Sequence, residues 1–275
     1  MDSLSLFLRY ARYRYISYRL FLRIKMGKKK RDEFLRASGI SEIDFLPERP
    51  YIINGFKALP RKGTDDFYMF HIPREEELGP HLILRRGETF VDVGANVGYY
   101  SLKIAKEYSA KGVIVIAIEA HPQNYKALSK NIELNDFKCI RPINRAVSDH
   151  KAIATLYERV DTRNRIRSEF YSLSNAFLHE SNVARPEGGS IEVECDTLDN
   201  ILGDQRVDVM KIDIEGAEVS ALKGATRTLK KLRKIIVEVH GANSDQVMQI
   251  LEDTHNFRSE TIESRIMKHI VGSRL

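Results

Sequence analysis

From residue 88 onward the apolar positions alternate between short runs of β period and longer stretches of helical period. The pattern predicts a strand at Thr89–Val93, a helix at Val97–Tyr108, a strand at Val113–Glu119, a helix at Asn124–Leu134 and a strand at Cys139–Asn144. It resumes with a strand at Val207–Ile212, a helix at Ala217–Lys231 and a strand at Lys234–His240. Val113–Ile118 and Ile235–Val239 are almost wholly apolar, as expected of strands covered by helices on both faces. Alternating strand and helix predicts an α/β fold with a doubly wound parallel sheet.

Two stretches break the rhythm. Between the predicted strands Ala154–Glu158 and Ser190–Cys195, residues 159–189 are long, polar and rich in Ser, Asn and Arg. An excursion of that length is commonly functional. Upstream, Tyr51–Ala58 and Asp66–Ile72 read as two strands around a turn at Pro60–Gly63, a small hairpin extension leading into the main domain. Residues 4–26 read as one amphipathic helix, with Arg9, Arg12, Arg19 and Arg23 in a stripe beside Leu, Phe, Tyr and Ile. The reading divides the chain into a basic arm at 1–31, an extension at 32–80 and a main domain at 81–275.

Charge sharpens this division. The 275 residues carry a net charge of +6, yet residues 1–31 hold ten Lys or Arg and one acid, so the remainder is slightly acidic. The arm at 4–31 is therefore expected to meet an anionic membrane surface, with packing on protein or contact with RNA as alternatives. Nucleic acid is disfavoured as a partner because a phosphate-tracking surface is usually basic across the domain. In residues 1–31 the longest uncharged run is Ser3–Leu8, too short for a spanning helix or a signal peptide. A cytoplasmic protein, peripheral on the membrane, is the expectation. Two cysteines exclude a disulfide scaffold and a four-cysteine zinc site. The oligomeric state stays open.

The chemistry concentrates in ETFVDVGANVGYYSLKIAK, residues 88–106. A buried strand runs into a glycine turn and then a helix, which is where nucleotides bind in open α/β sheets. A Gly-x-Gly-x-x-Gly fingerprint is absent, with Asn96 and Tyr99 in its later positions, and no Gly-Lys-Ser/Thr follows. The acid before the turn, Asp92, would repel a pyrophosphate and suits a cationic, amino-bearing ligand such as S-adenosylmethionine (SAM). Glu119 ends the next strand, where an acid can accept from both ribose hydroxyls. Helix capping is the alternative role for both acids.

The segments FVDVGANVGYYSL, IEAHPQNYKALSKNIELN, NRAVSD, VDVMKIDIEGAEVSALKGA and IIVEVHG together resemble the FkbM-type family of SAM-dependent methyltransferases. The resemblance spans about residues 80–245, and KIDIEGAE, residues 211–218, is its most specific element. It implies a class I methyltransferase (Rossmann-like) fold. It also implies methyl transfer, usually to a hydroxyl of a saccharide, a lipid or a small metabolite. By position in the motifs, Asp92, Gly94, Asn96 and Gly98 would line the methionine side of the cofactor and Glu119 would hold its ribose. Arg145, Ala146 and Asp149 would lie near the adenine.

Asp213 and Glu215 follow an apolar strand and so fall at the carboxyl edge of the sheet; Glu218 is placed to cap the next helix. Glu238 and His240 end the neighbouring strand at that edge, on one face by alternation. His240 is the expected general base, its intrinsic pKa being the one nearest neutrality, with Asp213 and Glu238 orienting it or the acceptor and Glu215 toward the acceptor. Three acids within six residues, Asp213, Glu215 and Glu218, are an alternative divalent-metal set; no metal is assigned, since one strand turn cannot supply a coordination shell and no partner His or Asn stands near KIDIEGAE. Arg163, Arg165 and Arg167 in the long excursion would bind an anionic group of the acceptor; a solvated loop is the plain alternative. Two other functions remain possible on these residues: an RNA methyltransferase using the basic arm, and a non-catalytic binding protein attached to the membrane.

Overall fold

In a computed structural model, the described residues are 49–61, 64, 66–71, 76–157, 189–263 and 267–274. The predicted helix at 4–26 and the arginines Arg163, Arg165 and Arg167 lie outside them.

A seven-stranded sheet forms the centre. Its strands are β3 (Thr89–Val93), β4 (Ile114–Glu119), β5 (Ile140–Asn144), β9 (Val209–Ile212), β10 (Lys234–Glu238), β11 (Arg258–Glu263) and β12 (Lys268–Ser273). They lie in the order β11-β12-β10-β9-β3-β4-β5. All neighbours pair in parallel except β12, which is antiparallel to both β10 and β11. The chain winds from β3 outward through β4 and β5, then returns to the other side of β3 with β9. That reversal opens a crevice at the carboxyl ends of β3 and β9, where α/β sheets bind ligands. The architecture is that of a class I methyltransferase.

Helices cover both faces. They are α2 (Tyr99–Tyr108), α3 (Pro122–Asn135), α4 (Leu198–Leu202), α5 (Glu218–Lys223), α6 (Thr226–Lys231) and α7 (Ser244–Gln249). The two faces of the sheet carry separate cores. Phe90, Val115, Val209 and Ile236 pack with Leu102, Ile104 and Leu128 on one side. Val91, Ile116, Met210 and Val237 pack with Leu198, Leu222 and Leu229 on the other. Each strand alternates between cores, and all five residues of β3 are buried. A second, three-stranded sheet in the order β6-β8-β7 is built from β6 (Ala146–Val147), β7 (Ala152–Tyr157) and β8 (Ser190–Asp196), and brackets the long excursion. Among the described residues no helix is long and apolar enough to cross a membrane.

Several elements differ from the sequence reading. Tyr51–Ala58 is a complete hairpin in itself: β1 (Tyr51–Ile53) and β2 (Phe56–Ala58) pair antiparallel around Asn54 and Gly55, both at positive φ. Two consecutive positive-φ residues suit the tight hairpin turn that follows strand twist. Asp66–His71, expected as the second strand, is a short helix, α1. Ile53, Phe56 and Phe70 join the core that holds Phe90 and Leu102. The helix expected at Ala217–Lys231 is two, α5 and α6, separated at Gly224. β11 and β12 have no counterpart in the sequence reading.

Candidate active site

The turn after β3 is fixed by the protein's own backbone. Gly94 and Ala95 both donate N–H to the Ile118 carbonyl at 2.9 Å, and Asp213 donates to Val93 O at 3.0 Å. Gly94 sits at φ +83°, and a Cβ there would overlap the Asp213 carbonyl oxygen. Glycine is thus required by the approach of the β9 loop, whatever the ligand does. At Gly98, φ +102°, a Cβ would meet Leu128 Cδ1 of α3 at 2.7 Å.

Two polar groups face this turn. Asn96, at φ +52°, donates its N–H to Glu119 Oε2 at 2.8 Å, while its buried Oδ1 makes no hydrogen bond among the described residues. Glu119 Oε1 accepts from His121 N at 2.8 Å. Burial pushes the Glu119 carboxyl up to about 7, against the pull of those two amides and of the Arg61 charge. Asp92 lies deeper: it is 2% exposed and accepts from Ser101 Oγ at 2.6 Å, and burial raises its pKa. Arg145 follows β5 at the same edge and pairs with Glu194. Ala146 is buried in β6. Asp149 pairs with His150, and its backbone N–H donates to Ser220 Oγ of α5 at 3.1 Å.

Across the crevice, the ends of β9 and β10 converge. Lys211, 1% exposed, donates to Asp213 Oδ2 at 2.8 Å, lies 4.0 Å from Glu238 Oε2 and stands over the Tyr100 ring at 4.6 Å. His240 donates Nδ1–H to Glu218 Oε1 at 2.8 Å, and its Nε2 lies 3.4 Å from Glu238 Oε1 and 3.5 Å from Glu215 Oε2. Glu218 is fully buried and held in turn by Gly216 N at 2.8 Å and Asn243 Nδ2 at 3.1 Å. Glu215 stands at φ +53°, followed by Gly216 at +101°, a bend that turns the loop back over the strand ends. Sequence reasoning thus located Asp213, Glu215, Glu238 and His240 together, and the structure brings them together.

The protonation of His240 corrects the expected base. Burial disfavours its cation, but the hydrogen bonds to Glu218 and Glu238 and the charges of Glu215 and Asp213 outweigh that and push it up to about 12. An imidazole that keeps its proton at neutral pH cannot take one from an acceptor. Asp213 is the stronger candidate. Burial and the Glu238 charge raise its pKa against the pull of Lys211 and His240, and its side chain is 28% exposed at the mouth of the site. Glu238 is 3% exposed; burial opposes its charge, but the neighbouring His240, His269 and Lys211 outweigh that and hold it well below the usual carboxylate range.

Three contributors were not read from the sequence. Lys211 had a signal: two residues before Asp213 on a strand, it shares its face. Asn243 fixes Glu218 from the loop before α7 and carries no such mark. His269 reaches Glu238 Oε2 at 3.3 Å because β12 places it opposite Glu238.

These features meet the needs of SAM. The open Asn96 Oδ1 offers an acceptor at the glycine turn, and the Glu119 carboxylate can accept from ribose hydroxyls. Comparison with known proteins agrees. The family model "Methyltransferase FkbM domain" matches residues 92–259. Methyltransferase sdnD of Sordaria araneosa is 27% identical over 187 residues, which is 59% of this chain and 71% of that protein. Hexuronic acid methyltransferase AglP of Haloferax volcanii is 31% identical over 87 residues, 28% of this chain and 36% of that protein. The crystal structure of methyltransferase FkbM from Methylobacillus flagellatus aligns at TM-score 0.49 and 19% identity, covering 73% of this chain and 46% of that one. With most of its length under the family model, the chain belongs to the FkbM family of SAM-dependent methyltransferases.

Proposed function

We propose that the protein methylates a hydroxyl on a saccharide, lipid or small metabolite. The observation that carries this reading is the set of carboxylates at the carboxyl edge of β9 and β10, beside the cofactor turn. A hydroxyl is a weak nucleophile at neutral pH and needs a proton acceptor within reach. SAM supplies, when bound, an electrophilic methyl group on a sulfonium. The chain's own residues do the rest. Gly94, Asn96 and Glu119 hold the cofactor. Asp213 and Glu215 face the acceptor and take up its proton. Lys211 and His240 fix the carboxylates in place.

The named activity of AglP on a hexuronic acid supports a saccharide among the acceptor classes. The RNA alternative finds less support, since outside residues 1–31 the chain is slightly acidic.

The test uses the full chain and labelled SAM in extracts of cells lacking the gene. Mass spectrometry of glycan, lipid and metabolite fractions should show a 14-dalton gain, about the mass of one added CH₂. Asp213→Asn should cut the initial rate by about 100-fold while SAH (S-adenosylhomocysteine) binding persists. An unchanged rate in that variant, or label appearing in RNA alone, refutes the reading.

A further inference from the structure

We infer that Asp213, Glu238 and His240 form a divalent-cation site at the acceptor side of the crevice. Each offers one ligand atom, and the three atoms lie within 4.8 Å of one another. Neighbouring donors around an octahedral ion with bonds of about 2.1 Å stand about 3 Å apart, so small side-chain rotations close the set. Two carboxylates and an imidazole leave positions for water and an acceptor oxygen, which suits Mg²⁺ or Mn²⁺.

Two observations point to a ligand here. The first is Glu238. Its carboxylate is 3% exposed, and Oε2 makes no hydrogen bond among the described residues, although His269 Nε2 stands at 3.3 Å and Lys211 Nζ at 4.0 Å. A buried carboxylate oxygen with only these two longer contacts keeps acceptor capacity that a cation can fill. The second is the setting of His240. Glu218 Oε1 holds Nδ1 and so turns Nε2 toward Glu238 and Glu215, where a divalent ion would bind by displacing the Nε2 proton. A buried carboxylate behind a histidine, itself pinned by Gly216 and Asn243, is how proteins orient metal-binding imidazoles. Lys211 engages Asp213 Oδ2, leaving Oδ1. Four carboxyl groups, Asp213, Glu215, Glu218 and Glu238, gather around one lysine and one histidine, so acidic side chains outnumber basic ones in the cluster.

The inference rests on the methyltransferase reading only for its consequence. There the cation would draw the acceptor hydroxyl to itself and lower its pKa, with Glu215 receiving the released proton. Asp213 would then act as a ligand.

The experiment titrates Mn²⁺ into the full chain, stripped with chelator and saturated with SAH, and follows free Mn²⁺ by electron paramagnetic resonance. One saturable site is expected. Glu238→Gln and Asp213→Asn should each weaken it at least tenfold, and Glu218→Gln by about 10- to 100-fold, with SAH affinity unchanged. Asp213 is partly exposed, so its variant carries the test if Glu238→Gln does not fold. Absence of saturable Mn²⁺ binding, or equal affinity in wild type and Asp213→Asn, overturns the site. Failure of SAH to bind overturns the cofactor assignment instead, and the Mn²⁺ titration still judges the cation site.

Discussion

If Glu119 holds the cofactor ribose as proposed, cofactor binding is a proton-linked event. Its carboxyl sits near 7 in the free protein because burial raises it. Ribose hydroxyls placed there would donate to the ionised form, so binding would lower its pKa. A group whose pKa falls on binding contributes affinity above its free pKa and loses it as pH drops through that value. If binding restores an ordinary carboxylate pKa near 4.3, the coupling is about 4 kcal/mol. At pH 5 the free carboxyl is then almost wholly protonated, and SAH affinity should be lower than at pH 8 by on the order of 100-fold. Near pH 6 binding should release close to one proton. Calorimetry with SAH in two buffers of different ionisation enthalpy measures that proton directly. Glu119→Gln should abolish the release and flatten affinity between pH 5 and 8. Flat affinity with no proton released in the wild type, or the same dependence in Glu119→Gln, would refute the assignment of Glu119 to the ribose.

Two other expectations concern the turn and the arm. Gly94→Ala places a side chain at positive φ against the Asp213 carbonyl and should cost about 3 kcal/mol or more, a fall of roughly 6–12 °C in Tm. Gly98→Ala should cost less, because Leu128 can yield; equal melting temperatures for Gly94→Ala and wild type would contradict this. Deleting residues 1–31 should release the protein from anionic vesicles at low salt, each basic residue near the surface contributing about 1 kcal/mol, while SAH affinity holds. A full-length chain that ignores such vesicles assigns the arm to another partner.

The parallel sheet was legible because its strands are buried on both faces. Phe90 and Val91 in β3, and Val115 and Ile116 in β4, face opposite cores in turn, so the chain writes these strands as unbroken apolar runs. Short amphipathic pieces misled for the converse reason. DFYMFH at 66–71 carries aromatics that fit a strand as well as a single helical turn and a half, and length is the only arbiter. In Tyr51–Ala58 the Asn-Gly pair was the turn signal, more local than Pro60–Gly63. β11 reads RSETIE, polar enough to pass for loop, because it is an edge strand that covers little core.

The site shows where local reading stops. Strand ends at one edge put Asp213 beside Glu238 and His240, and this follows from topology alone. The charge on His240 does not, because it depends on Glu218, a residue assigned in sequence to helix capping. Glu218 does bond Gly216 N, as a capping acid would. Yet the same oxygen holds His240 Nδ1, and complete burial makes that contact strong. One carboxylate thus serves the helix start and the imidazole at once. A histidine selected for its ordinary pKa becomes, in this surrounding, the member of the cluster least able to accept a proton. Asp92 moved the other way: an acid before a glycine turn reads as a ligand contact, but Ser101, nine residues on, returns in α2 to bond it. In both cases the spacing gave the position correctly, and the chemistry was set by a partner that only the packed helices bring within reach.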